Sequence, residues 1–266
     1  MLPPLLLVGA GRMGGALFGG WARRGLAASA LVDPSPAPGI ARPGDIVVAD
    51  LAKLPTGFAP AAAILAVKPQ MADTVMSPLG AVLPAGAVVL SIMAGRRIDG
   101  IESATGGVAP VVRAMPNTPA SIGQGITVAC AGRGVTASQR DLCDMLLRAV
   151  GDVAWVDEED LLDAVTAVSG SGPAYVFLLA ELLEQAGAAQ GLPAGLARVL
   201  ARKTVSGAGA LLASSTADAA ELRRAVTSPG GTTEAALKVL MDAAAWPSAL
   251  HAAVAAAARR ARALAA

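Results

Sequence analysis

The sequence is short of the parts from which several classes of protein are built. Among its 266 residues are one histidine and two cysteines, with 3% aromatic and 15% charged residues and a formal net charge of +1. A lone His251, set in an Ala-rich helical stretch, leaves a multi-histidine zinc site or a Ser-His-Asp relay without its parts. Cys130 and Cys143 have neither metal-type spacing nor cationic neighbours, so both read as small apolar residues with no disulfide between them. No metal site is expected. The near balance of acid and base provides no basic reservoir for nucleic acid or an anionic membrane surface. No apolar stretch approaches the roughly 18 to 20 residues of a membrane span, and Pro3-Pro4 carries no charged head of a signal peptide. The expected partners are small molecules and further copies of the chain, in the cytoplasm.

What is present is a change of pattern along the chain. Up to residue 156, short runs rich in Val, Ile and Leu alternate with helical or turn segments: 5–8, 30–33, 46–49, 63–67, 87–92, 108–114, 126–131 and 152–156. That alternation predicts a mostly parallel sheet covered on both faces. From Glu158 onward Ala, Leu, Glu and Arg dominate, and helices are predicted over 174–189, 194–213 and 246–265. The expected fold is therefore α/β, with a Rossmann-type dinucleotide-binding domain over 1–156 and an all-α substrate and dimerisation domain over 157–266. A helical half this apolar is more easily explained against a second subunit than against water.

Gly9-Ala10-Gly11-Arg12-Met13-Gly14 follows an apolar strand and precedes a helical segment, the context that gives a GxGxxG pattern meaning. Gly9 makes the turn, Gly11 admits a pyrophosphate, and Gly14 lets helix and sheet approach, with free N–H groups at the helix start. Asp33, at the end of the second strand, would accept the adenosine ribose hydroxyls and favour NADH. Ser35 could instead donate to a 2′-phosphate, so NADPH and NADH both stay open. Ala66-Val67-Lys68-Pro69, Met93-Ala94 and Asn117-Thr118 follow later strands, where cofactor contacts fall in such folds. In the helical half, Ser169-Gly170-Ser171-Gly172-Pro173 and Ser228-Pro229-Gly230-Gly231-Thr232-Thr233 precede helices. Each reads either as a small anion site or as an ordinary capped helix start.

Taken together, these loops resemble the pyrroline-5-carboxylate reductase family, most specifically in DAVTAVSGSGPAY (163–175) and VTSPGGTT (226–233). The resemblance implies reduction of 1-pyrroline-5-carboxylate to proline with NADPH or NADH, the last step of proline synthesis. It also implies a homodimer of interlocked helical domains that often assembles further. By the same resemblance Thr233 meets the imine nitrogen, while Ser228, Gly230, Gly231 and Thr232 belong to the loop that holds the substrate carboxylate. Glu159 falls on a substrate-proximal glutamate, Asn117 and Thr118 on the nicotinamide side, and Ser35 on the adenosine 2′ position. Asp33, Ala225 and Leu222-Arg223-Arg224 depart from the family's usual residues, the first bearing on the choice of cofactor. A β-hydroxyacid dehydrogenase would need a lysine base soon after the glycine-rich opening of its helical domain, and the next lysine after Gly172 is Lys203. A nucleotide-sensing protein without turnover would have no need of the 228–233 loop.

Overall fold

A computed structural model describes residues 1–265. Eight strands form one sheet: β1 (Leu5–Val8), β2 (Ala30–Val32), β3 (Ile46–Val48), β4 (Ala62–Leu65), β5 (Val88–Ser91), β6 (Val111–Met115), β7 (Gly125–Ala131) and β8 (Gly151–Val156). The helices are α1 (Arg12–Arg23), α2 (Ala72–Leu79), α3 (Ile98–Ala104), α4 (Ala137–Leu147), α5 (Leu161–Val165), α6 (Gly172–Ala189), α7 (Ala194–Ser214), α8 (Ala219–Ala225), α9 (Thr232–Leu240) and α10 (Trp246–Ala265). The strands lie in the order β3-β2-β1-β4-β5-β6-β7-β8. Only β6 and β7 run antiparallel, joined by the short 3₁₀ turn Thr118–Ile122; every other neighbouring pair is parallel.

Every residue of β1, β4 and β5 is buried, which is why these strands read as unbroken apolar runs rather than as alternation. On one face α1 contributes Leu17, Phe18 and Trp21, each no more than 1% exposed. Phe18 and Trp21 meet edge to face at 6.3 Å, and the Trp21 Nε1–H donates to the Leu146 carbonyl at 2.8 Å, so the buried indole leaves no unmet donor. The other face is closed by Met76 and Leu79 of α2, Ile98 and Ile101 of α3 and Leu162 of α5. Cys143 belongs to the first of these layers and burial pushes its thiol up to about 12, so it is no nucleophile. Cys130 and Cys143 are both free.

Arg42 closes the loop before β3. It pairs with the enclosed Asp45 at 2.8 Å and lies over the Phe18 ring at 5.3 Å. Burial raises the Asp45 carboxyl pKa, but hydrogen bonds from the Arg42 side chain and from the amides of Arg42 and Ser29 outweigh it and hold it below the ordinary value of 3.8. A carboxylate lowered on folding stabilises the fold at pH values above its unfolded pKa. That contribution disappears as pH falls through the folded value. Denaturant titrations between about pH 6 and pH 2 should show a steep acid limb that is shallower in Asp45→Asn. An unchanged limb would remove Asp45 from the cause.

The chain divides into two compact units, Met1–Gly170 with Ala257–Ala266, and Ser171–Ala256. Residue 156, the expected boundary, is the end of β8. The compact first unit continues beyond it, because α5 and the π-helical turn Thr166–Gly170 add Leu162, Asp163 and Ala167 to its buried residues. In the second unit the only buried residues are Ala197 and Ala201 of α7. Phe177 is 68% exposed and Val239 69%. One expectation needs correction: the helical run Leu161–Ala189 has 29 residues and contains an 18-residue window of mean hydropathy 1.3, enough by length and composition to cross a membrane. Within the glycine-rich segment 169–173 a π-helical turn ends at Gly170 and α6 begins at Gly172.

Candidate active site

The loops singled out in the sequence leave the carboxyl ends of adjacent strands. β1 and β4 are neighbours, yet the chain from β1 turns one way to β2 and the chain from β4 turns the other way to β5, which opens a crevice between them. At its floor Gly9 has φ of +96°, a conformation L-residues avoid, and a Cβ there would stand 2.8 Å from the Ala66 carbonyl carbon. A Cβ on Gly14 would overlap the Gly9 carbonyl oxygen, so turn, helix and the 66–67 loop interlock only with glycine at both positions. Gly11 differs, since nothing stands within 4 Å of its missing Cβ. It is the N-cap of α1 and supplies no side-chain cap, so the first N–H groups of a twelve-residue helix point into open space. An anion such as a pyrophosphate fits that cradle.

Asp33 and Ser35 stand at the next strand end. The Ala10 N–H donates to Asp33 Oδ2 at 2.7 Å and the Ser35 N–H to Oδ1 at 2.8 Å. A cavity of about 470 Å³ adjoins the turn, lined by Ala10, Gly11, Arg12, Ser35 and Ile40 among others. Met13 packs against the core from the first turn of α1. Of the β4 loop, Ala66 and Val67 are half-buried and Lys68 is exposed, while Pro69 opens a 3₁₀ turn whose carbonyl accepts from Arg96 at 3.2 Å. After β5, Met93 is buried and Ala94 half-buried. Asn117 is only partly available, because its Oδ1 accepts the Ile126 N–H at 3.0 Å and so ties the β6 loop to β7; Thr118 is exposed.

Glu159 is the residue for which the structure adds most. Its Oε1 accepts from Arg113 Nη1 at 2.8 Å and from the Ile98 N–H at 2.9 Å, and Arg97 Nη2 lies 3.5 Å from Oε2. The carboxylate is thus engaged inside the first unit. Arg97 reaches on to Asp160 at 2.7 Å. Sequence reasoning passed over Arg113, although a lone arginine inside the apolar run 111–114 carries its own signal: a buried guanidinium needs a partner.

In the second unit, the 228–233 loop turns through Gly230, with φ of +70°, into α9. The Gly231 N–H donates to the Ser228 carbonyl at 3.0 Å, and the Gly230 N–H to Glu234 Oε2 at 2.8 Å. Gly231 is the N-cap and supplies no side chain to the first turn, where Thr232 is exposed and Thr233 half-buried. The backbone donors of that turn are left for an external acceptor, as at α1. Ser171, ahead of α6, likewise makes no side-chain cap. Among the described residues no group of three or more His, Cys, Asp or Glu could hold a metal.

A six-strand order of 3-2-1-4-5-6, a glycine turn at its switch point and an appended helical unit with almost no core of its own define a nicotinamide-dependent oxidoreductase that works as a homodimer. Comparison with known proteins narrows that class. Residues 159–264 match the family described as pyrroline-5-carboxylate reductase dimerisation, and residues 5–95 match NADP oxidoreductase, coenzyme F420-dependent. The chain is 40% identical over 239 residues to a pyrroline-5-carboxylate reductase of Pseudomonas aeruginosa, covering 89% of this chain and 88% of that one. Among solved structures, a pyrroline-5-carboxylate reductase of Coxiella burnetii superposes with a TM-score of 0.88 at 32% identity, over 98% of both chains. A Plasmodium falciparum pyrroline carboxylate reductase with NADP bound gives 0.84 at 27% identity, over 99% of this chain and 98% of that one. The chain belongs to the pyrroline-5-carboxylate reductase family.

Proposed function

We propose that this chain reduces 1-pyrroline-5-carboxylate to L-proline with NAD(P)H, the closing step of proline synthesis. The observation that carries the reading furthest is the uncapped first turn of α9, which offers backbone N–H groups and the Thr233 hydroxyl within three residues of one another. A five-membered cyclic imine with a carboxylate asks for that pair of functions. The carboxylate takes the N–H groups at Gly231, Thr232 and Thr233, within the turn shaped by Ser228 and Gly230. The ring nitrogen takes the Thr233 hydroxyl. No covalent catalyst is required: the bound dihydronicotinamide supplies the hydride, and the protein's contribution is orientation and charge.

The residues of the first unit fit the cofactor. Gly9, Ala10, Gly11, Arg12, Met13 and Gly14 cradle the pyrophosphate on the start of α1. Asp33 and Ser35 stand at the adenosine end, and Ala66, Val67, Lys68, Pro69, Met93, Ala94, Asn117 and Thr118 form the wall toward the nicotinamide. In this reading Glu159 holds Arg113 and the start of α3 in place and does not touch substrate. The helical units of two chains interlock, covering the apolar face of α6, and the pairs assemble further. That covering accounts for the 161–189 run in a cytoplasmic enzyme without a membrane partner.

Mixing purified protein with the imine and NADPH or NADH should bleach the nicotinamide absorbance band and yield proline. A β-hydroxyacid with the oxidised cofactor should give no turnover. Bleaching absent with both reduced cofactors would overturn the proposal.

A further inference from the structure

The loop after β5, which carries Met93 and Ala94, is fixed by side chains at both of its ends. At the strand end the Met93 N–H donates to the Ser91 hydroxyl at 3.3 Å. At the helix end Arg96 Nη2 donates to the Pro69 carbonyl at 3.2 Å and to Asp73 Oδ2 at 3.1 Å, which ties this loop to the one after β4. Arg97 is held by Glu159 and Asp160. Between these anchors lies Gly95, with φ of +71° and no side chain of its own. The three heavy atoms nearest to where its Cβ would stand all belong to Leu264, the carbonyl oxygen at 2.6 Å.

Leu264 lies in the last turn of α10, and from Ala257 onward that helix belongs to the compact first unit. Ala257, Ala261 and Ala265 recur at every fourth residue and are buried or half-buried, so they share one packed face. A terminal helix without such seating frays. Here the seated turn meets the loop backbone to backbone, and a helix carbonyl gives way less easily than the end of a flexible side chain. We infer that the last turn of α10 positions the nicotinamide: by backing Gly95 it holds the Met93-Ala94 wall against which the ring lies. The turn touches no cofactor atom itself. The inference rests on the cofactor reading proposed above.

A chain ended at Ala261 keeps the buried alanine and removes Leu264, and calorimetry with nucleotides that have or lack the ring reads the effect. The shortened chain should bind NADPH and NADH about three- to tenfold more weakly, the scale of one or two lost contacts. Its affinity for ADP-ribose and 2′-phospho-ADP-ribose should stay as in the full chain. Fluorescence of bound NADPH should move toward that of the free nucleotide, and kcat should fall about tenfold or more as the ring is misplaced. Gly95→Ala, which forces a Cβ onto the Leu264 carbonyl, should show the same pattern in the full chain and cost less in the shortened one. Three results would overturn the inference: full affinity and fluorescence in the shortened chain, equal losses for nucleotides without the ring, or the same cost of Gly95→Ala in both chains. If the full chain binds neither NADPH nor NADH, the cofactor reading falls and this inference with it.

Discussion

Thr233→Ala should lower kcat by about 10- to 100-fold while the affinity for NAD(P)H stays unchanged. The range follows from the worth of a hydrogen bond to a charged group, about 1.5–3 kcal/mol, at about 1.4 kcal/mol per factor of ten. Protonating the imine nitrogen sharpens the electrophilic carbon, and a hydroxyl that orients that nitrogen acts most strongly as charge moves during hydride transfer. The variant is clean because alanine favours a helix more than threonine does, and Thr233 lies in the first turn of α9, so folding should not suffer. Thr233→Ser should recover most of the loss. Steady-state kinetics of an alanine variant with wild-type kcat would remove Thr233 from the chemistry.

Glu159→Ala should cost about 3–5 kcal/mol of stability, the usual range for removing one partner of a buried ion pair. The side chains of Arg113 and Glu159 are 5% and 14% exposed, so the guanidinium left behind has little water to turn to. The Ile98 N–H would lose its acceptor as well. Glu159→Gln should cost less, because an amide oxygen still accepts from Ile98 and Arg113. Denaturant unfolding measures the effect directly. A glutamate that touched substrate would instead raise KM in both variants and leave the unfolding midpoint where it was.

The strands were legible because each is either an apolar run between turn residues or an alternation with one buried face. β5, between the turns at Gly86 and Gly95, shows the first case, and the burial of alternate residues at the start of β7 the second. The glycine turn was legible for a similar reason, as Gly9 and Gly14 answer to backbone geometry that no other residue meets. What stayed hidden depends on pairings across long stretches of chain. Arg113 and Glu159 are 46 residues apart, and nothing local to either marks the other. The antiparallel β7 also escaped, since direction is set by the length of the connection and not by the strand's own residues. Nothing local to Asn117 shows that its Oδ1 accepts the Ile126 N–H, nine residues on. Asp33 was visible as an acid in the right place. Only the structure shows that each of its oxygens accepts a backbone N–H, from Ala10 and from Ser35.

The near absence of buried residues between 171 and 256 has a consequence for how stability is to be measured. With Ala197 and Ala201 as its whole interior, this part of the chain draws its free energy of folding from association, which makes that free energy a function of protein concentration. A thermal midpoint should climb with the logarithm of concentration, and dilution should inactivate the enzyme without any change in solvent or temperature. A substitution on the exposed face of α6 would then alter the dose at which the enzyme works before it altered anything measured on a concentrated sample.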